Sequence, residues 1–197
     1  MEVECSAGDS PERLSRPEGS VQSRKTEDRI ALREPRTADG PAVSALIARC
    51  PPLDTNSAYC NLLQCTHFAG TCVIAESDDG VVGWISAYRP PAAPEEIFVW
   101  QVAVDPRARG IGLGGRMLAA LLERAAVHGA TQLTTTITEA NGASWAMFGS
   151  LANRLGARIT RRPIFDRDAH FAGAHDTEFL VSIGPFVLPA QPIEETP

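Results

Sequence analysis

The chain has 197 residues, a formal net charge of −6 and 44% hydrophobic side chains. That is enough for one globular domain with spare tails and a filled core, and the acidic balance argues against a nucleic-acid binder, whose signature is a basic stripe. There is no run of about eighteen apolar residues to span a membrane, and acids at Glu2 and Glu4 without an apolar segment behind them do not make a signal peptide, so the expected setting is the cytoplasm. Residues 1–28 are rich in Ser, Glu, Arg, Gly and Pro without apolar period and read as a disordered tail. The domain is expected over 29–185, with a second tail over 186–197. Ile30–Arg33 suits a first strand, and Thr37 or Asp39 caps a helix through Val43, Leu46 and Ile47 that Pro51–Pro52 stop. A helix from Ser57 to Phe68 is expected to carry Tyr59, Leu62, Leu63 and Thr66 on one side. Strands Cys72–Glu76 and Val81–Tyr88 are expected to join through the four-residue loop Ser77–Gly80.

Ile97–Val104 is apolar on both faces, with Gln101 its plainly polar residue, as in a strand inside a covered sheet. A helix follows with Leu113, Met117, Leu118, Leu121, Leu122 and Ala125 spaced three and four apart. Gln132–Thr138 is a Thr-rich strand. Trp145, Phe148, Ala152 and Leu155 form a helical stripe closed by Gly156. Arg158–Arg161 suits a short strand, Pro163–Asp176 a loop dense in ionisable groups, and Thr177–Ile183 the last strand. The order predicts an α/β fold with a mixed central sheet of about six to seven strands and helices on both faces. The five cysteines are odd in number and lack a CxxC pair, which suggests buried free thiols in a reducing compartment.

The chemistry-bearing stretch is the turn Arg107–Gly115 between the buried strand and the long helix. Glycines let backbone approach an anion, the helix start offers unpaired N–H groups, and Arg107 and Arg109 add full charge. A nucleotide P-loop would need Gly-Lys-Ser/Thr, whereas Gly115 is followed by Arg116 and Met117. Gly110, Gly112 and Gly115 do match a dinucleotide fingerprint, with Glu139 downstream. Five residues separate strand from first glycine, however, and too little chain follows for a second half.

The third reading is a coenzyme A diphosphate turn. Arg109–x–x–Gly112–x–Gly114, behind an apolar strand and ahead of a long helix, resembles the signature of the GNAT N-acetyltransferase superfamily. Asn141–x–x–Ser144–x–x–x–Phe148 resembles its second motif. Within it, Leu53–Cys65, Val82–Ser86, Phe98–Val104, Thr135–Thr138, Ala143–Ala146 and Phe165–Glu178 are similar, in order, to the L-2,4-diaminobutyric acid acetyltransferases of ectoine biosynthesis. The resemblance implies transfer of acetyl from acetyl-CoA to the side-chain amine of a small diamino acid by a homodimer. It implies that coenzyme A lies against Ala103, Val104, Arg109, Gly110, Gly112, Gly114, Gly115, Asn141 and Phe148, and that a backbone N–H near Val102 polarises the thioester carbonyl.

An alkylamine arrives protonated, with a pKa near ~10, so the site needs acids to hold it and a group to take its proton. Glu178 is the favoured holder and base, with Asp54 second; Asp176 is a further candidate, while Asp166 and Asp168 read as loop-bracing groups. Tyr59 and Trp100 can wall a cationic substrate, and His175 can orient its carboxylate or relay a proton. His170, His175, Asp176 and Glu178 are poorly spaced for a metal, and none is expected. Phe148 stands where many acetyltransferases carry a tyrosine that protonates the leaving thiolate. That leaves open a second acid, an unassisted thiolate, a non-catalytic acetyl-CoA-binding module, or another amine substrate on the same fold.

Overall fold

A computed structural model describes residues 30–127 and 129–188; the long N-terminal tail, His128 and most of the C-terminal tail lie outside them. Seven strands form one mixed sheet. In chain order the elements are β1 (Ala31–Arg33), α1 (Gly40–Ala48), α2 (Ala58–His67), β2 (Val73–Ser77), β3 (Gly80–Tyr88), β4 (Glu96–Val104), α3 (Leu113–Val127), β5 (Gln132–Thr138), α4 (Gly142–Leu155), β6 (Arg158–Phe165), α5 (Arg167–Phe171) and β7 (Glu178–Gly184). The strands run β1-β2-β3-β4-β5-β7-β6 across the sheet. Every neighbouring pair is antiparallel except β4 with β5.

Two cores follow from the helical stripes. Met117, Leu118 and Leu121 of α3, with Phe148 and Leu151 of α4, pack on Ile85, Val99, Leu133 and Val181. On the opposite face, Val43, Leu46 and Ile47 of α1 enclose Trp84, Ile74 and Ala103. Gly114 lets α3 approach α4, since a Cβ there would come 2.7 Å from Met147 Sδ. Gly156, at φ 58, ends α4 in the left-handed conformation that glycine tolerates best.

Several expectations need correcting. The β2–β3 loop has two residues, because pairing continues to Ser77 and Gly80. Helix α2 is capped by Ser57, whose side chain accepts from the Cys60 N–H, but its buried face is Asn61, Gln64 and Cys65. Tyr59 and Thr66 are exposed; Leu62 of the expected stripe lies against Gly40 of α1. Strand β6 runs on to Phe165. It is an edge strand, so Pro163 removes no ladder bond the sheet needs. Part of the expected ionisable loop is α5, whose N-terminus is held by Asp166: its Oδ1 accepts from Asp168 N at 2.9 Å and Ala169 N at 3.0 Å. Phe186, assigned to the tail by the sequence, is buried, and its N–H donates to Thr131 O.

After β4 the chain turns through Asp105, which is 2% exposed. Its carboxylate accepts from Arg107 Nε at 3.0 Å and from Arg49 Nη2 at 3.2 Å. Arg107 therefore braces the turn, rather than standing free to meet an anion. The Arg107 hydrogen bonds hold the Asp105 carboxyl below its ordinary 3.8. A depressed carboxylate stabilises the fold above its unfolded pKa and loses that contribution as pH falls through the native one. Asp105→Asn is expected to cost about 1–3 kcal/mol at pH 7, and the gap from the parent should close as pH drops below 3.8. Thermal unfolding across pH 2–8 (a window of roughly that span brackets the carboxylates) checks this.

Candidate active site

The site starts from a defect in the sheet. Gln101 of β4 pairs with Ser86 of β3, and Val99 pairs with Ala87, leaving Trp100 as an inserted residue. This is a β-bulge, and it bends the strand. Parallel pairing with β5 runs from Glu96–Gln132 only as far as Val99–Thr135, where Thr135 Oγ1 donates to Val99 O at 2.9 Å. Beyond that point β4 continues to Val104 and β5 to Thr138 without pairing. The two strands splay into a V whose β4 side includes the backbone of Val102. Ala103 turns its side chain into the second core, so it can offer only backbone to a ligand. The Val104 carbonyl already accepts from Arg109 Nε at 3.2 Å and Cys50 Sγ at 3.3 Å.

The glycine turn closes the end of the V. Gly110 and Gly112 have φ of 80° and 73°, and a Cβ at either would meet nothing within 4 Å. Open space beside left-handed backbone at the start of α3 is a cradle for an anion. Gly115 also faces open space, and its carbonyl accepts from Arg154. Asn141 caps α4, its Oδ1 accepting from Ser144 N at 3.1 Å; that acceptor is committed to the helix. Phe148 is 2% exposed in the core and has no proton to give.

On the other side of the sheet lies a cavity of about 560 Å³, lined by Gln64, Phe68, Tyr88, Trp100, Thr136 and Phe165 among others. Its wall is aromatic: Trp100 meets Tyr88 edge-on at 6.4 Å, and Tyr88 meets Phe98 at 5.3 Å. Trp100 is 48% exposed, its ring facing the open cavity that Gln64 of α2 and Phe68 also line. Glu178 opens β7 opposite Thr138. Its Oε2 is buried with no hydrogen-bond partner. Burial pushes the Glu178 carboxyl above its ordinary 4.5 and the nearby Asp54 charge adds to this, while a hydrogen bond with Thr136 and the charge of His175 pull the other way. Thus the charges of Asp54, far upstream in the sequence, and of His175, three residues before it, both act on the Glu178 carboxylate. Asp54, Tyr59, His175 and Asp176 are all exposed; His175 stacks edge-on against Phe171 at 5.3 Å. Among the described residues no group of three His, Cys, Asp or Glu side chains could hold a metal ion.

A half-buried carboxylate with one unpaired oxygen, paired across the strands with Phe165 of the cavity wall, suits an ammonium group, and the cleft behind it suits a thioester arm. Comparison with known proteins gives the family. Residues 41–152 match the acetyltransferase (GNAT) family. The chain is 50% identical over 157 residues to an L-2,4-diaminobutyric acid acetyltransferase from Methylotuvimicrobium alcaliphilum, covering 80% of this chain and 91% of that one. The chain belongs to the L-2,4-diaminobutyric acid acetyltransferases of the GNAT family. The diaminobutyrate acetyltransferase EctA from Paenibacillus lautus, solved with L-2,4-diaminobutyric acid and coenzyme A, superimposes with a TM-score of 0.77 at 37% identity, over 82% of this chain and 98% of that one. A phosphinothricin acetyltransferase from Sinorhizobium meliloti, 19% identical with a TM-score of 0.63 over 85% and 95% of the two chains, shares the fold alone.

Within this acetyltransferase family frame, three features escaped the sequence. Thr136 carries the contact to Glu178; the alternation of Thr134, Thr136 and Thr138 along one strand was its signal. Gln64 and Ser86 reach the cavity, buried and without partners for their polar side-chain atoms; polar residues at i, i+3 on α2, Asn61 and Gln64, were the trace of an inward polar face. Gln101 was visible as the odd polar residue in an apolar strand, but not what it holds.

Proposed function

We infer that the chain moves the acetyl group of acetyl-CoA to the γ-amine of L-2,4-diaminobutyrate, giving N-γ-acetyl-L-2,4-diaminobutyrate for ectoine biosynthesis. The observation that carries this reading is the unpaired, buried Oε2 of Glu178 beside the split between β4 and β5. Glu178 holds the γ-ammonium and takes its proton. Asp54 adds negative charge at the same point, and Trp100 of the cavity wall faces the cation; Tyr59, 70% exposed and outside the cavity lining, reaches it only if its side chain turns inward, and His175 and Asp176 lie on the exposed segment just before Glu178. The Val102 N–H receives the charge that develops on the thioester oxygen, while Arg109 and the backbone of Gly110–Gly115 hold the diphosphate. As the N–C bond forms the nitrogen gives up its second proton, and as the C–S bond breaks the thiolate leaves without help from Phe148, a modest demand for a thiol, and takes up that proton through solvent.

Thiol release from acetyl-CoA tests this, with diaminobutyrate against ornithine, lysine and a peptide N-terminus. The expected result is turnover with diaminobutyrate well above the others. No release with diaminobutyrate overturns the reading, and cofactor binding without turnover on any amine would mark a binding module instead. We also place the enzyme in the cytoplasm as a homodimer. Free Cys50, Cys60, Cys65 and Cys72 support a reducing compartment, and exposed Phe68 and Phe165 at the cavity rim support self-association; a light-scattering mass in solution reads the latter.

A further inference from the structure

Gln101 is 7% exposed, yet it lies in the strand that faces the thioester cleft. Both ends of its side-chain amide are occupied. Nε2 donates to the Asp54 carbonyl at 2.8 Å, and Oε1 accepts from Asn56 Nδ2 at 3.2 Å. Both partners belong to the loop before α2, nearly fifty residues upstream. Asn56 sits at φ 54, a left-handed conformation that asparagine tolerates better than most residues.

The bulge explains how a mid-strand side chain reaches that loop. Strand residues alternate between faces. Ile97 and Val99 point into the α3–α4 core, and so do Val102 and Val104. The even spacing is broken between Val99 and Val102, so Trp100 and Gln101, consecutive residues, share the opposite face: Trp100 lines the cavity and Gln101 meets the Asp54 loop. Were the strand to alternate strictly through Trp100, with no bulge, Gln101 would follow Val99 into the apolar core, where its amide would find no partner.

We propose that Gln101 is a positioning residue that ties the Asp54 loop to the bulged strand, so that the pocket for the amine and the cleft for the thioester are held at one fixed separation. The amide bridges the two halves of the site directly, one residue from the Val102 backbone and at the carbonyl of Asp54 itself. Reaction needs the nucleophile and the carbonyl carbon in near-attack geometry, and a displacement of about 1 Å can cost roughly 100-fold in rate. The proposal rests on the reading of Asp54 as part of the substrate site.

Gln101→Leu keeps the volume and removes both hydrogen bonds. The expected result is a fall in kcat/KM for diaminobutyrate of about 10- to 100-fold, with the acetyl-CoA dissociation constant within about two-fold of the parent, because the glycine turn is untouched. Asn56→Gly keeps the left-handed backbone, removes one bond and leaves the core alone; it should show a smaller fall of the same kind. The double variant should be no worse than Gln101→Leu, since both act through one bridge. Equal losses in acetyl-CoA binding and in kcat/KM, or kcat/KM within two-fold of the parent in Gln101→Leu, would overturn the proposal. Should Gln101→Leu fail to fold, an unchanged kcat/KM in Asn56→Gly does so. Asp54→Asn separates the two claims. A fall there with no effect at Gln101 sinks the tether alone, whereas silence at Asp54 sinks the substrate-loop reading and the tether with it.

Discussion

Glu178→Gln is expected to lower kcat/KM for diaminobutyrate by about 100- to 10,000-fold, the range for removing a positioned acid–base group, while acetyl-CoA still binds. The amide matches the carboxylate in shape but can neither accept a proton nor balance an ammonium. The pH profile adds a second, independent reading. Burial holds the Glu178 carboxyl above its ordinary 4.5, so the parent enzyme should lose activity as pH falls through a value above that of a free side chain. The variant's residual rate should lack that limb. The stability sign is opposite to that of Asp105. A carboxyl whose native pKa is raised favours the fold below its unfolded pKa and loses that advantage as pH rises through the native one. Glu178→Gln should therefore be no less stable than the parent at neutral pH. A variant with normal kcat/KM, or one that merely melts earlier, would remove Glu178 from the reaction.

Gly112→Glu should reduce acetyl-CoA affinity by at least about 100-fold, which corresponds to two decades at ~1.4 kcal/mol each. Two causes act together. At φ 73° a Cβ carries a backbone penalty of about 1–2 kcal/mol, and the added carboxylate lies where the diphosphate is to be held by N–H groups and Arg109. Gly112→Ala introduces the first cause without the second, so it should lose less. Titration of acetyl-CoA against both variants, with thermal melts to confirm folding, separates strain from charge. Equal affinity in parent and Gly112→Glu would displace the cofactor from this turn.

The parts of this fold that were legible in the sequence are those set by local period. Gln132–Thr138 alternates and is bounded by breakers, and the Trp145–Leu155 stripe ends on a glycine that adopts the left-handed cap. The glycine turn was legible because positive φ leaves a residue-type signature. What was not legible depends on pairing between distant segments. The bulge at Trp100 exists only in the register of β3 against β4, and nothing in either strand alone announces it. Helix α2 misled because its inward face meets a cavity and Ser44 rather than oil: Asn61 Nδ2 donates to Ser44 Oγ at 2.8 Å, so the polar side faces in. At the site, the acids were visible as residue types, but the order among them was not. Glu178 stands out only once its burial is known, and Asn141 proves to have its carbonyl spent on a helix end.

The bulge in β4 also sets what kind of change the strand can absorb. Replacing Trp100 alters one wall of a cavity. Removing it would leave Gln101, Val102 and Val104 on the faces they already hold and take away the bend, whereas flattening the bulge with Trp100 kept would turn Gln101 into the α3–α4 core and Val102 out of it. The spare residue is therefore the one position of this strand whose loss would change the bend and not the layers, while a one-residue gap in its regularly paired parts would exchange the two faces.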